Sequence, residues 1–229
     1  CKQFDYTEMA KEYNCIYIEK NAEICCHYHN IDEVNDFLNR LNYACLECAK
    51  LNIDWIVNLH PDVICCDRIS HYPNAHITSV RAGSINHICG NNFHPYAQNI
   101  IKKYQPNIEI NGFGWCGGAI MNVPTFFKVY NDLISDNPKV NLKELVADNE
   151  IQYIWEHEDC LVPFLFNLYG YVSRIWLDVA ECQRGMLGLG DASAFLHGYK
   201  EHYKFKNGET IEQYYTRCRK ENEERANGD

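Results

Sequence analysis

The chain has 229 residues and carries 21 Lys and Arg against 31 Asp and Glu, a formal net charge of −10. At 46% hydrophobic and 13% aromatic it holds enough apolar side chains for a core, which excludes wholesale disorder, and its length suits one α/β domain. The acidic balance argues against a general nucleic-acid binder, and no apolar run approaches the ~20 residues that span a bilayer.

Residues 5–13 predict a short helix, and Cys15 to Ile18 a buried strand. Asp32 is the expected N-cap of a long amphipathic helix over about 33–50, which Asn52 ends. Residues 54–59, DWIVNL, predict a compact strand. Strand, helix and strand at this spacing form a βαβ unit and imply a parallel sheet. The strand runs straight into His60-Pro61-Asp62. Polar residues just past the carboxyl end of a parallel strand sit where such sheets bind ligands. Residues 67–95 read as loop, and a helix over 95–105 is closed by Pro106. Gly117 to Val123 reads as a strand, Pro124 stands in the first turn of a helix through about 135, and 136–149 reads as a polar linker. Trp155 to Cys160, WEHEDC, opens an apolar helix that stops at Gly170, and a strand follows from Tyr171 to Leu177. Residues 181–208 read as loop, with a glycine-rich stretch from Gly185 to Ser193 suited to a lid, and 210–225 as a charged helix.

Thirteen cysteines, an odd number in a chain too long to need staples, read as reduced thiols of a cytosolic compartment rather than a secreted disulfide framework. Cys45-x-x-Cys48 has zinc-like spacing, but it continues the helical pattern Phe37, Leu38, Leu41 and has no second pair, so it reads as a core helix face. The start at Cys1 rather than Met leaves room for an upstream signal, anchor or strand.

Three segments, in order, resemble GT-A fold glycosyltransferases. DWIVNLHPDV resembles their strand and metal-binding turn, which is usually Asp-x-Asp. GWCGGAIMNVPTFFKVYNDL resembles the acceptor-side strand and the helix after it. WEHEDCLVPFLFNLYGYVSRIW resembles the Glu-Asp motif, its helix and the next strand of family 2 inverting enzymes. The likeness runs over about residues 12–178. It implies an α/β fold with a Rossmann-like, mixed, mostly parallel sheet flanked by helices. The domain would span 1–208, with the fold's first strand missing ahead of it and a charged helix over 209–229. The chain departs from the pattern at His60, which replaces the first carboxylate of the turn.

The activity so implied moves a sugar from a nucleotide-diphosphate donor to a carbohydrate or glycoconjugate hydroxyl. A departing diphosphate needs a cation, Mn²⁺ or Mg²⁺, and Asp62 is placed to hold one. His60 suits Mn²⁺, and His197 in FLHGYK resembles the histidine that completes such a site. Inversion needs a base for the acceptor hydroxyl: Asp159, with Glu158 beside it, although acidic residues also favour a first helical turn for its dipole alone. Gly117 and Gly118 would let a sugar approach backbone, Trp115 would stack on it, and Arg184 and Lys200 would meet the diphosphate. The alternatives are a retaining transferase on this fold, a non-catalytic carbohydrate- or nucleotide-binding relative, and a Cys/His metalloprotein. No nucleic-acid partner and no membrane segment within the chain are expected.

Overall fold

The computed structural model describes residues 7–12, 15, 28–59, 63–65, 69, 74–81, 95–110, 119–156, 158–182, 195–198, 208–210, 213, 216, 217 and 220; for 63–65, 78–81, 153, 156, 158, 159, 174–182 and 195–198 this is the backbone alone. In chain order the elements are α1 (Thr7–Glu12), α2 (Ile31–Lys50), β1 (Trp55–Asn58), β2 (Val63–Cys65), β3 (Ile77–Arg81), α3 (Pro95–Tyr104), β4 (Ala119–Asn122), α4 (Val123–Leu133), α5 (Leu142–Val146), a 3₁₀ turn (Asn149–Ile151), α6 (Gln152–Glu156), α7 (Glu158–Leu168), β5 (Ser173–Cys182) and β6 (Phe195–Gly198). Among the described residues no helix is long and apolar enough to cross a membrane.

One six-stranded sheet, ordered β1-β4-β3-β5-β6-β2, organises these elements. β4 is antiparallel to β1 and to β3, β3 and β5 are parallel, β5 and β6 are parallel, and β2 is antiparallel to β6. Four strands, β1, β3, β5 and β6, therefore point one way, while β4 and β2 oppose them. The sheet is mixed, and three of its five neighbour pairs are antiparallel, against the parallel sheet read from the βαβ pattern. The first strand of that pattern, at 15–18, lies outside the described residues apart from Cys15.

This sheet cannot be flat. Five strand spacings put β1 and β2 about 24 Å apart, yet only residues 59–62 join them. Five extended steps from Asn58 to Val63 reach at most about 18 Å. The curl is localised at β5. Its start pairs with β3 (Ser79↔Ile175), but by Arg81↔Ala180 β5 has advanced five residues while β3 advanced two. Such an irregularity bends a strand and increases its twist. The far end of β5, Val179 to Cys182, then pairs with β6.

α7 packs on β3 and β5, and α4 bridges it to α2. Their apolar residues form the core: Phe126, Trp155, Phe164 and Phe166 are almost fully buried, and Trp155 sets its edge against Phe164 at 5.6 Å. Polar ties fix the helices at the margins. Tyr130 Oη donates to Asn39 Oδ1 at 2.6 Å, joining α4 to α2, and Tyr169 Oη donates to Asp132 Oδ2 at 2.6 Å, joining the end of α7 to α4. Burial first, and then the Asp132 carboxylate, push the Tyr169 phenol well above its ordinary pKa, so it stays a donor.

Several elements depart from the sequence expectations. The N-cap of α2 is Asn30, whose Oδ1 accepts from Glu33 N at 3.0 Å; Asp32 falls in the first turn, where its charge favours the helix dipole. β3 lies inside a stretch read as loop, because its strand character comes from β4 and β5 on either side rather than from local alternation. α5 occupies part of the expected linker, capped by Asn141 and buried through Leu142 and Leu145. β5 runs on to Cys182, five residues past the expected end, and β6 lies in the expected loop 181–208. The expected C-terminal helix is described only in part: Thr210 and Gln213 form a reciprocal capping box, and Arg217 makes a two-pronged ion pair with Glu209 at 2.8 and 2.9 Å.

Two helices end the same way. After α2, Asn52 N–H bonds Ala49 O and Ile53 N–H bonds Cys48 O, both at 3.0 Å, with Asn52 at φ 57°. After α7, Gly170 N–H bonds Asn167 O at 3.0 Å and Tyr171 N–H bonds Phe166 O at 2.9 Å, with Gly170 at φ 87°. Both are Schellman turns, which need a left-handed residue. A Cβ on Gly170 would also press on Gln105 Oε1 at 3.2 Å, while Gln105 Nε2 donates to Leu168 O at 3.1 Å. Gly170→Ala is therefore expected to cost about 1–2 kcal/mol in urea unfolding, whereas Asn52→Gly is expected to be neutral or stabilising by a few tenths, about 0.2–0.5 kcal/mol.

Candidate functional site

The direction of the strands gathers the chemically interesting segments at one end of the sheet. β1, β5 and β6 end there, β2 begins there, and α7, which turns back into β5 through Gly170, starts there. This is the carboxyl end of the four strands that point one way.

The register of β6 sharpens the placement. His197 is paired with Val63 on one side and with Glu181 on the other. Val63 directly follows Asp62, so the backbone row Glu181–His197–Val63 ends beside the His60-Pro61-Asp62 turn. Adjacent strands lie about 4.8 Å apart and paired positions share a face of the sheet, so Glu181, His197 and Val63 form one cross-strand row. His60 and Asp62 themselves lie outside the described residues. Among the described residues no three His, Cys, Asp or Glu side chains converge as a metal-holding group.

Glu158 and Asp159 occupy the first turn of α7. Pro163, inside this helix, has no N–H, so the Asp159 carbonyl cannot receive the usual bond from four residues on. Asn167 Nδ2 donates to the Pro163 carbonyl at 2.6 Å, placing an extra donor on the same helix. Trp155 Nε1 and Asn167 Oδ1 are buried and have no hydrogen-bond partner among the described residues. Trp115, Gly117, Gly118, Arg184 and Lys200 lie outside the described residues. Of the residues singled out from sequence, then, His197 pairs in register with Val63, and Glu158 and Asp159 begin the helix that turns back into β5.

Glu181 escaped the sequence reading because the strand was ended at Leu177. The signal was faint: beyond Leu177, Asp178 and the apolar pair Val179-Ala180 break the alternation, and only the lack of a glycine or proline before Gly185 allows the strand to run on.

Comparison with protein-family models, with curated proteins and with solved structures finds no match.

The Cys45-x-x-Cys48 pair belongs to the core. Cys45 is fully buried on α2 beside Val34 and Leu38, and Cys48 is half-buried. Burial, and secondarily the Cys48 thiol, push Cys45 from 9.0 up to about 12. A folded-state pKa above the unfolded one means this thiol's contribution is complete below pH 9 and is lost as pH rises toward 12. The slope is at most about 1.4 kcal/mol per pH unit. Between pH 9 and 10.5, urea unfolding should show wild type losing stability faster than Cys45→Ala by up to that slope. Native-state alkylation should modify the exposed Cys15 well before Cys45.

Proposed function

We propose that the chain is a divalent-cation-dependent glycosyltransferase of GT-A type, which moves a sugar from a nucleotide-diphosphate donor to a hydroxyl acceptor with inversion. The observation that carries this reading is the backbone row Glu181–His197–Val63, which pairs a histidine position and a glutamate position with the residue that follows Asp62 in the chain. Of the three segments that resemble such enzymes, β1 of the first ends, β4 of the second begins and α7 of the third begins at this end of the sheet, which supports the likeness beyond their order in sequence.

In this reading Asp62, His60 and His197 hold the cation, and Glu181 stands in the same row. When bound, the cation neutralises charge on the diphosphate. Asp159 takes the proton of the acceptor hydroxyl as its oxygen bonds the anomeric carbon and the bond from that carbon to the diphosphate breaks. Asp159 stands in the first turn of α7, where the helix dipole favours an acidic residue. Trp115, Gly117 and Gly118 border the sugar, and Arg184 and Lys200 face the diphosphate.

The test is a screen of nucleotide-diphosphate sugars for Mn²⁺-dependent thermal stabilisation, followed by turnover with the donor that binds. His197→Ala and Asp62→Ala are expected to remove most of the Mn²⁺-dependent stabilisation. Asp159→Asn is expected to cut turnover by about 10²–10⁴-fold while leaving donor binding intact. Wild-type turnover in Asp159→Asn overturns the assigned base. Donor binding without turnover in the wild-type chain indicates a binding protein on this fold, and no stabilisation by any donor overturns the reading altogether.

A further inference from the structure

We propose that a second site, at the opposite end of the sheet, binds a small anion that carries a ring, such as a sugar acid. The site is an open pocket of about 360 Å³ where β1 begins, β4 ends and α4 starts. That volume is at the small end of the ~300–1,000 Å³ typical of ligand pockets, enough for one ring and its substituents.

Its chemistry is unlike the rest of the surface. The chain carries 31 acidic residues and a net charge of −10, yet no Asp or Glu is among the described residues that line this pocket. Lys128 and His76 line it instead, together with Trp55. Asp132, one turn beyond Lys128, is turned to other partners: its Oδ2 accepts from Tyr169 Oη at 2.6 Å and Lys139 N at 2.8 Å. The positive end of the α4 dipole adds to the Lys128 charge.

The walls are already built. Asn122 Oδ1 accepts from Thr125 N at 3.0 Å and Thr125 Oγ1 at 2.7 Å, and Val123 N–H bonds Asp54 O at 2.8 Å. Pro124 has no N–H. These bonds occupy the capping donors of α4, so the helix end forms a fixed floor and recognition passes to the side chains around it. The His76 ring rests against Tyr171 at 4.9 Å, and the His76 carbonyl accepts from Asn122 N at 2.8 Å, which hold that wall in place. Trp55 is anchored by its register partner Asn122 but leaves 42% of its surface open, whereas Trp155 in the core is 1% exposed. An exposed indole over a rigid floor offers a stacking face, and the ammonium and imidazole beside it offer donors to a carboxylate or phosphate. A ring and a negative charge on one small molecule satisfy all three.

The proposal does not depend on the transferase reading. Trp55 and Leu59 are four strand residues, about 13 Å, apart, so substitutions in the pocket leave the His60-Pro61-Asp62 end untouched. The test is a titration of the full chain followed through the Trp55 indole N–H in NMR spectra, assigned with Trp55→Phe. The probes are glucuronate, which has both ring and charge, glucose, which has only the ring, and acetate, which has only the charge. Glucuronate is expected to give saturable shifts with a Kd of about 0.1–5 mM, and glucose and acetate to bind at least tenfold more weakly. Trp55→Leu, followed through ring signals of His76, and Lys128→Gln are each expected to weaken glucuronate about tenfold or more. Glucose 1-phosphate in place of glucuronate tells whether phosphate or carboxylate is preferred, and tighter binding of either supports the site. Equal binding of glucose and glucuronate, equal binding of acetate and glucuronate, or no saturable shift overturns it.

Discussion

The structure depends on one covalent constraint: only four residues, 59–62, connect strands that stand at the two ends of a six-stranded order. A flat sheet would separate β1 and β2 by more than that connection can span. The sheet must therefore curl, and β5 is where it yields, with three more residues than β3 between their two paired stretches. The curl returns β2 to the end of β1 and seats it on β6, which sets His197 opposite Val63. Without that short connection, the His60-Pro61-Asp62 turn and His197 would belong to unrelated parts of the surface.

The second requirement is that α7 and β5 form a rigid pair, because the helix carries Asp159 and the strand carries Glu181. Their junction is tightly specified. Gly170 closes the helix in a left-handed turn, Gln105 covers it from α3, and Tyr169 is tied to Asp132 on α4. The aromatic core beneath, from Phe126 through Phe164 and Trp155, presses α7 onto β3 and β5. The two buried polar atoms without described partners, on Trp155 and Asn167, lie on α6 and α7, which also carry the Glu-Asp pair. Unsatisfied polar groups cost stability, and here that cost sits in the elements that bear the candidate chemistry.

The two ends of the sheet divide the charge. The elements that meet at the carboxyl end carry Glu158, Asp159 and Glu181 in their backbone. At the amino end the described residues that line the pocket include Lys128, His76 and Trp55 and no Asp or Glu, a set that favours an anion. An overall charge of −10 describes neither end.

Local chemistry alone determined much of the helical structure. The 20-residue amphipathic pattern of α2, the proline at the start of α4 and the glycine after α7 were legible because caps, breakers and a 3.6-residue period act within a few residues of chain. The strand DWIVNL and the apolar helix after the Glu-Asp pair were legible for the same reason. The rest was decided by partners far away in sequence. Asn30 rather than Asp32 caps α2 because the backbone turns one residue before the helix begins, a geometry that two equally suitable side chains do not reveal. β3 and β6 look like loop in isolation and become strands only when neighbours on the sheet satisfy their backbone groups. His197 and Asp62 were named from residue type and resemblance, but the pairing of His197 with Val63 and Glu181 follows from register. Register is a property of paired strands; a single strand carries only its period of two, which says which residues share a face and not what lies opposite.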